Sequence, residues 1–285
     1  MKKVLVIVVT YNGKPWLERC LSSVSVSPKS TGNLEADLFV VDNDSTDGSA
    51  DYVAAHFPSA KLVRSAENLG FSKANNLGFE WALKKGYDYV YLLNQDAWLA
   101  PGALELLVFT AETHPEYAVL SPLQYQDGYQ ELDAQFARCL SSCTKKGPVV
   151  PVQFIMAAHW MVPVAALGKI GPFNEDLFPL YGQDDDWCHR VHYHGLEVVV
   201  VPAAKAVHDR AKRAESKEKI MHRNYYTGSL VRLCDINRPL WERFCFVCLF
   251  TLVKAVKYHS FKPFKLFADI CRRLPEVRVH RRRCL

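Results

Sequence analysis

The stretch Tyr89-Val-Tyr-Leu-Leu-Asn-Gln-Asp96 is a run of apolar residues that ends in a carboxylate. Because no charge interrupts the run, it predicts a strand buried on both faces, as in a parallel sheet. Ligands of open α/β sheets gather at the carboxyl ends of such strands. Asp96 stands at that end beside Asn94, and carboxylate oxygens suit Mg²⁺ or Mn²⁺. An aspartate after a strand also serves as a turn or helix cap, so this segment alone leaves both interpretations open.

The surrounding chain alternates predicted strands and helices, which favours a mainly parallel sheet with right-handed crossovers. Apolar runs predict strands at residues 4–10, 37–41, 61–65, 87–93 and 118–121. Apolar spacing and cap residues predict four helices in this half. The first begins at Pro15, and the second ends at about His56. The third runs from a cap at Ser72 to a stop at Gly86, and the fourth covers residues 101–113. No G-x-G-x-x-G or G-x-x-x-x-G-K-S/T pattern follows the first strand, which weakens dinucleotide-binding and ATP-hydrolase interpretations.

The second half of the chain predicts fewer regular elements. We expect an irregular polar insert at residues 124–151, followed by a strand at residues 153–162. A helix is expected at residues 184–194 and a second strand at residues 197–201. Residues 205–219 are dense in charge, which predicts a mobile loop. Pro202 is expected to end the second of these strands, and a helical pattern begins at Ile220. We therefore expect an α/β domain over residues 1–215, with halves at 1–121 and 122–215, and a helical basic appendage over residues 216–285.

Composition indicates a globular protein that can bury a substantial core. The chain has 285 residues and a formal net charge of +5. Its nine cysteines are scattered, and Cys245 and Cys248 have no second pair at zinc spacing. Packing thiols in a reducing compartment are the better interpretation, so we expect a cytoplasmic protein. The short β-branched run after Met1 predicts a first strand rather than a secretory signal. No segment reaches the roughly 18 to 20 apolar residues of a spanning helix.

Three polar clusters follow three apolar strands: Thr10-Tyr11-Asn12, Asp42-Asn43-Asp44 and Asn94-Gln95-Asp96. The carboxyl ends of neighbouring parallel strands lie side by side, so the clusters are expected to line one crevice. Tyr11 could stack on a base there, and Asp42 or Asn43 could hydrogen-bond the edge of that base or a ribose. Asp96 could bind a metal.

A fourth cluster, Gln183-Asp184-Asp185-Asp186, opens the predicted helix of the second half. Carboxylates favour helix N-termini, which accounts for one or two of them. Because adjacent carboxylates repel one another, one with a raised pKa could act as a general base. His208, which precedes Asp209, is either an ordinary histidine or an imidazole ligand of the same metal.

Together these residues resemble a known family. Val6-Ile-Val-Val-Thr-Tyr-Asn12, the segment from Val40 to Ser49, the segment from Glu67 to Asn76, and Leu92-Leu-Asn-Gln-Asp96 are similar to the donor half of family-two inverting glycosyltransferases. That family has the A-type nucleotide-diphospho-sugar transferase fold, with a mainly parallel central sheet flanked by helices. Residues 171–176 and 181–190 resemble its acceptor half, as do Gly195, residues 201–203 and residues 207–208. The bacterial rhamnosyltransferase-like subgroup, which builds cell-surface polysaccharide, is the most similar.

The resemblance implies a metal-dependent transfer of a sugar from a dTDP- or UDP-sugar to a hydroxyl of a glycan or lipid-linked acceptor. It implies nucleotide and donor contacts from nine residues, namely Thr10, Tyr11, Asn12, Asp42, Asn43, Asn68, Gly70, Asn75 and Asn94. It implies Mg²⁺ or Mn²⁺ at Asp96 and His208, and Asp184 as the catalytic base.

Two positions depart from the family pattern. Asn94 replaces the first carboxylate of the D-x-D motif, and Gln183 replaces the glutamate of the E-D motif. The base assignment therefore rests on Asp184, with Asp185 as a stand-in. Because Gln183 adds no charge, a catalytically impaired nucleotide-sugar-binding protein remains an alternative interpretation. A sugar-1-phosphate nucleotidyltransferase is the other alternative, although Tyr11-Asn-Gly-Lys14 is a poor match to the glycine-rich basic loop that it needs after the first strand.

The C-terminal segment combines an apolar helical pattern at residues 241–256 with basic residues beyond it. Such a segment suits peripheral contact with the inner face of an anionic cell membrane, where a lipid-linked acceptor would be met. A helical pair packed on the core is the alternative. Nucleic-acid binding is not expected, because the basic run is short and lacks interleaved aromatic residues.

Overall fold

The computed structural model describes residues 1–25, 34–141, 147–210 and 222–285. The strands are β1 (Lys2–Thr10), β2 (Leu34–Asp42), β3 (Lys61–Arg64), β4 (Tyr89–Asn94), β5 (Ala97–Leu99), β6 (Tyr117–Tyr125), β7 (Val150–Val152), β8 (His159–Pro163) and β9 (Glu197–His208). The helices are α1 (Lys14–Ser25), α2 (Ser49–His56), α3 (Gly70–Lys85), α4 (Ala103–Thr113), α5 (Ala134–Ser141), α6 (Val164–Ile170), α7 (Gln183–Tyr193), α8 (Gly228–Cys234), α9 (Leu240–Tyr258), α10 (Lys262–Arg272) and α11 (Leu274–Arg283). A π-helical turn over His222–Thr227 leads into α8.

All the strands form one sheet in the order β3-β2-β1-β4-β8-β6-β9-β5, with β7 paired to β9. The β3-β2-β1-β4 part is parallel throughout. Beyond β4, the β6–β9 pair is parallel and the remaining pairs are antiparallel. The predicted mainly parallel sheet flanked by helices is confirmed.

The two faces of β1 bury different helices, because both sets of alternating side chains are apolar. Val6 and Val8 pack in one core with Leu17 of α1, whereas Ile7 packs in the opposite core with α3. Gly78 lets α3 lie close to the sheet, since a Cβ at that position would stand 2.5 Å from Cδ1 of Ile7. This packing holds the carboxyl ends of β1, β2 and β4 in line.

The start of α3 differs from the expectation. The helix begins at Gly70 rather than after a cap at Ser72. The N–H groups of Phe71 and Ser72 donate to the carbonyl of Pro179 (2.8 and 3.2 Å), so a distant carbonyl caps the helix. Ser72 is buried, and its hydroxyl donates to the carbonyl of Phe178. A local pattern could not predict a cap supplied from another part of the chain.

The second half is more regular than expected. The predicted insert contains α5 and β7, and the strand expected from residue 153 begins only at His159. Pro202 does not end β9, because its pairing with β6 steps from Pro122–Val201 to Leu123–Lys205. Pro202 lies in the resulting bulge, where a missing N–H breaks no ladder bond. The predicted charged loop is therefore wrong for residues 205–208, and its residues 211–219 lie outside the described chain.

The C-terminal helices pack against the residues that precede α7. Phe178 shares a core with Tyr225, Leu230 of α8, Val247 of α9 and Ile270 of α10. In the part of the chain that the structure describes, no helix is both long and apolar enough to span a membrane.

Candidate active site

A cavity of about 1250 Å³ opens at the carboxyl ends of β1 and β4 and reaches the C-terminal helices. Donor-half residues, the start of α7 and residues around α8 all contribute to its wall. The predicted site residues that line it are Tyr11, Asn43, Asn68, Gly70, Asn94, Asp96, Asp184 and His208.

The loop before α3 is shaped by the side chain of Asn43. Its Nδ2 donates to Oδ1 of Asn68 (3.1 Å) and to the carbonyl of Gly70 (3.2 Å). Its Oδ1 accepts from the N–H of Leu69 at 2.9 Å. Gly70 has φ +76°, and a Cβ there would stand 2.5 Å from the carbonyl oxygen of Pro179. Only glycine fits this turn without strain, so the loop can form the cavity wall.

The other residues that were predicted to contact the donor, namely Thr10, Asn12, Asp42 and Asn75, are not among the residues that line the cavity. Thr10 is fully buried, and its hydroxyl donates to Oε1 of Gln95 (2.9 Å), which also accepts from the N–H of Tyr11 at 2.9 Å. Asn12 accepts from the N–H of Thr46, and Asn75 donates to the carbonyl of Phe71.

These contacts shape the polypeptide, and they leave the Tyr11 ring about half exposed at 48%. Asp42 is buried too, but its Oδ1 has no hydrogen-bond partner within the described residues.

The pairing of β5 with β9 creates the candidate metal site. Ala97 pairs with His208, which sets the preceding Asp96 beside the imidazole. Nε2 of His208 lies 3.6 Å from Oδ1 of Asp96. Two ligands about 2.1 Å from one cation are at most about 4.2 Å apart, so this separation fits a shared ion. Carboxylate oxygen with imidazole nitrogen is a donor set for Mn²⁺, and carboxylate oxygen suits Mg²⁺.

His159 lies beneath this pair and was missed by the sequence analysis. Its Nδ1 hydrogen-bonds with the hydroxyl of Tyr91 at 2.8 Å, and its Nε2 with the carbonyl of Val207 at 3.0 Å. Burial lowers its pKa to about 3, so the ring is neutral at physiological pH. Its two hydrogen bonds connect β8 to β4 and to β9.

The three carboxylates of α7 have different environments. Asp184 lines the cavity, and burial raises its pKa although the N–H groups of Asp185 and Ala157 oppose that shift. Asp185 also lines the cavity, and burial together with the charge of Asp184 raises its pKa to about 8. Asp186 points away, to Arg190 (3.0 Å) and His280 (2.8 Å). Burial opposes its ionisation, but these cations hold its pKa below the ordinary value.

The side of the cavity nearest the C-terminal helices contains residues that the sequence analysis did not identify, namely His189, Arg223, Arg232, Asp235 and Arg243. Most of them come from the C-terminal segment, where no recognisable motif marks them. Arg243 pairs with Asp235, and Arg223 lies 5.2 Å from the centre of the Tyr181 ring. Arg210 also lines the cavity, and it pairs with Asp133 at 2.8 Å.

Comparison with known proteins bears on this arrangement. The sequence profile of "Glycosyl transferase family 2" matches residues 5–147. An N-acetylglucosaminyl-diphospho-decaprenol L-rhamnosyltransferase of Mycobacterium tuberculosis (strain ATCC 25618 / H37Rv) is 28% identical over 269 residues, which cover 83% of this chain and 86% of that protein.

Solved structures share the fold at low identity. S. aureus TarS aligns with TM-score 0.62 and 15% identity over 86% of this chain, but over only 42% of TarS. TarS 1-349 in complex with UDP aligns with TM-score 0.59 and 16% identity over 88% of this chain and 70% of that one. GalNAc-T7 with UDP, GalNAc and Mn²⁺ aligns with TM-score 0.58 and 14% identity, covering 84% and 52% of the two chains. The predicted A-type fold is confirmed.

Proposed function

This chain belongs to glycosyl transferase family 2, and from that premise we propose that it transfers a sugar from a nucleoside diphospho-sugar to a hydroxyl of a lipid-linked acceptor. One observation carries the proposal: a single cavity is lined by the loop before α3 with Asn43, by the pair Asp96 and His208, and by the carboxylate of Asp184. A transferase needs these three functions side by side, namely donor binding, stabilisation of the leaving group and proton removal.

The donor nucleotide occupies the side formed by β1, β2 and the loop before α3. The exposed ring of Tyr11 offers a stacking surface for the base. The unpaired Oδ1 of Asp42, buried at the end of β2, suits an N–H or O–H donor of a base or ribose. Asp96 and His208 would hold Mg²⁺ or Mn²⁺. When bound, that ion would supply a Lewis acid for the departing diphosphate.

Asp184 is the proposed general base of an inverting displacement. The acceptor hydroxyl attacks the anomeric carbon from the face opposite the diphosphate, and Asp184 takes its proton. Burial raises the pKa of Asp184, which brings its basicity closer to what a general base needs at neutral pH. Gln183 is buried, and its Oε1 has no partner among the described residues.

The curated relative supports a proposal for the class of acceptor. The mycobacterial protein is by name a rhamnosyltransferase acting on a diphospho-decaprenol-linked sugar. We propose a similar acceptor here, in the synthesis of bacterial cell-surface polysaccharide. The donor is a dTDP- or UDP-sugar, and the bound UDP of a structural neighbour supports a pyrimidine nucleotide.

Membrane contact fits this acceptor. Side chains on one side of α9 are more than half exposed and apolar, and we name them the α9 stripe: Trp241, Leu249, Leu252, Val253 and Val256. Exposed lysines follow at positions 257, 262 and 265. Apolar residues that insert below the headgroups, with lysines at headgroup level, complement an anionic bilayer. We propose that the protein docks through this surface at the inner face of the cell membrane.

Turnover with defined substrates tests the proposal. Purified protein is incubated with a panel of dTDP- and UDP-sugars, a divalent cation and a short-chain prenyl diphospho-N-acetylglucosamine. We expect transfer from at least one donor, and NMR of the product should show an inverted anomeric configuration. Nucleotide binding without transfer from any donor would instead support the catalytically impaired binding protein that Gln183 keeps open.

A further inference from the structure

Arg232 of α8 stands between the carboxylates of α7 and the helices of the C-terminal segment. It is partly buried and lines the cavity together with Asp185. Its Nη1 donates to the carbonyl of Gly228 at 2.7 Å, which fixes the orientation of the guanidinium. Among the residues that the structure describes, no carboxylate forms an ion pair with it. The fork is therefore held in place with donors left over for a ligand.

The charge of Arg232 is poorly compensated by its surroundings. Burial lowers its pKa, which the charge of Asp185 partly opposes. Burial and the charge of Asp184 raise the pKa of Asp185 to about 8, which weakens the compensation that Asp185 offers to Arg232. A half-buried cation without a carboxylate partner is costly, and an anionic ligand would reduce that cost.

The other side of Arg232 faces aromatic rings of α9. The guanidinium carbon lies 5.4 Å from the centre of the Phe246 ring and 5.3 Å from that of Phe250. Phe246 is 44% exposed and lies on the same helix as the α9 stripe. A cation thus separates the carboxylates of the cavity from an exposed apolar surface.

This order matches the order of groups in one class of molecule. A prenyl diphospho-sugar presents a sugar hydroxyl, then two phosphates, then a hydrocarbon chain. Building on the proposed function, we infer that Arg232 binds the diphosphate of the acceptor, with the sugar at Asp184 and the first prenyl units against Phe246.

The other cations of this wall suit the role less well. Arg243 is already paired with Asp235. Arg223 lies over the ring of Tyr181, away from the exposed rings of α9 that Arg232 contacts. A guanidinium fork can donate two parallel hydrogen bonds to a phosphate, a geometry that lysine cannot offer. Arg232 is thus a specificity-determining residue for acceptors that carry a diphosphate.

The test compares two acceptors and three variants. Initial rates are measured with a short-chain prenyl diphospho-N-acetylglucosamine and with the alkyl glycoside of the same sugar, which lacks the diphosphate. For Arg232→Gln we expect the KM of the diphosphate acceptor to rise about tenfold or more, as loss of charge-assisted hydrogen bonds implies. The KM of the alkyl glycoside and of the donor should stay within about twofold. For the diphosphate acceptor, the KM of Arg232→Lys should lie between that of the wild type and that of Arg232→Gln.

Arg238→Gln is the matched control, because Arg238 is exposed on the same segment and does not line the cavity. It should behave as the wild type with both acceptors. Equal increases of KM for both acceptors in Arg232→Gln would overturn the inference, since they would indicate a structural role.

A binding measurement separates this inference from the proposed function. Calorimetry follows a short-chain prenyl diphosphate binding in EDTA, so that no cation at Asp96 can hold the phosphates. We expect the wild type and Arg238→Gln to bind it and Arg232→Gln to bind about tenfold more weakly. If the wild type transfers sugar to neither acceptor, the proposed function is wrong, and this titration decides the role of Arg232 by itself. Equal binding by all variants would overturn it.

Discussion

At the scale of single residues, the three adjacent carboxylates of α7 lie in different environments. Asp186 belongs to a buried ion-pair network, whereas Asp184 and Asp185 face the cavity. The sequence pattern identified the cluster but could not divide it, because the division depends on Arg190 and His280. Two predictions follow from these environments.

Asp184→Asn should lower the transfer rate by at least about a hundredfold, because an amide cannot accept the proton of the acceptor hydroxyl. Donor affinity should change little, since the nucleotide is held by other strand ends. Single-turnover assays check this, with Asp185→Asn as the matched control, for which we expect a mild effect. If the transfer rate is instead lost in Asp185→Asn and near normal in Asp184→Asn, Asp185 rather than Asp184 is the base.

The pH dependence of transfer provides a second check on Asp184. Its pKa is raised by burial, and the base must be ionised to act. The rate should therefore rise with pH, with a midpoint above the ordinary aspartate value of about 3.9. A profile that is flat from pH 4 upward in kcat/KM would contradict this assignment.

Asp96→Ala should abolish the cation-dependent part of nucleoside diphosphate binding. The carboxylate lies 3.6 Å from His208 at the cavity, in the geometry of two ligands of one ion. Calorimetry with UDP and dTDP in Mg²⁺, Mn²⁺ and EDTA measures the effect. Glu105→Ala, an acidic residue on α4, is the control. Equal affinity of the wild type with and without cation would show that the metal role is wrong.

At the scale of elements, the C-terminal helix α11 is attached to α7, the helix that carries the proposed base, by one buried network. Asp186, Cys234 and His280 place their polar atoms within 4.8 Å of one another. Arg190 donates to the second oxygen of Asp186, and Cys284 lies beside the His280 ring. Despite burial, the bond to Asp186 raises the pKa of His280 to about 9. The histidine is therefore charged, and the network is an ion pair.

This network predicts how stability depends on pH. His280 has a folded-state pKa of about 9, above the unfolded value of about 6.5. Its contribution is fully present below pH 6.5 and is lost as pH rises towards 9. The difference in unfolding free energy between the wild type and His280→Gln should therefore shrink between these pH values. Urea unfolding at several pH values measures it, and a constant difference would contradict the charged state.

At the scale of the whole molecule, the C-terminal segment both completes the cavity and carries the proposed membrane surface. A truncation after Asp235 would remove the core partners of Leu230 and Leu233 together with Arg243. Loss of membrane binding in such a variant would therefore not be distinguishable from unfolding. Substitutions on the surface of α9 are the sharper experiment.

Leu249→Glu combined with Val256→Glu should strongly reduce sedimentation with anionic vesicles. These side chains are 62% and 72% exposed, so the fold should tolerate the change. Phe109→Glu, at a 66% exposed position on α4, is the control and should sediment as the wild type does. High salt should weaken the binding, because the lysine contacts are screened. If the wild type stays in the supernatant at low salt, the membrane proposal fails.

Much of the donor half could be predicted because its information is local. The apolar runs of β1, β2 and β4 end in polar clusters, and parallel pairing brings those ends together whatever the rest of the chain does. Tyr11, Asn43 and Asp96, which follow these three strands, accordingly line the cavity. The cap of α3 and the course of β9 through Pro202 could not be predicted. Both depend on partners far away in the sequence, namely Pro179 and β6.

The sequence by itself determined the fold class and the candidate donor site, since strand periodicity and strand-end residues are properties of short segments. Only the tertiary structure decided which carboxylate of α7 is withdrawn from the cavity, because His280 reaches Asp186 across 94 residues. It also decided that Arg232 lines the cavity, and that Asp96 stands beside His208 through the pairing of β5 with β9. Such contacts follow from how helices and strands pack at long range, which no local pattern encodes.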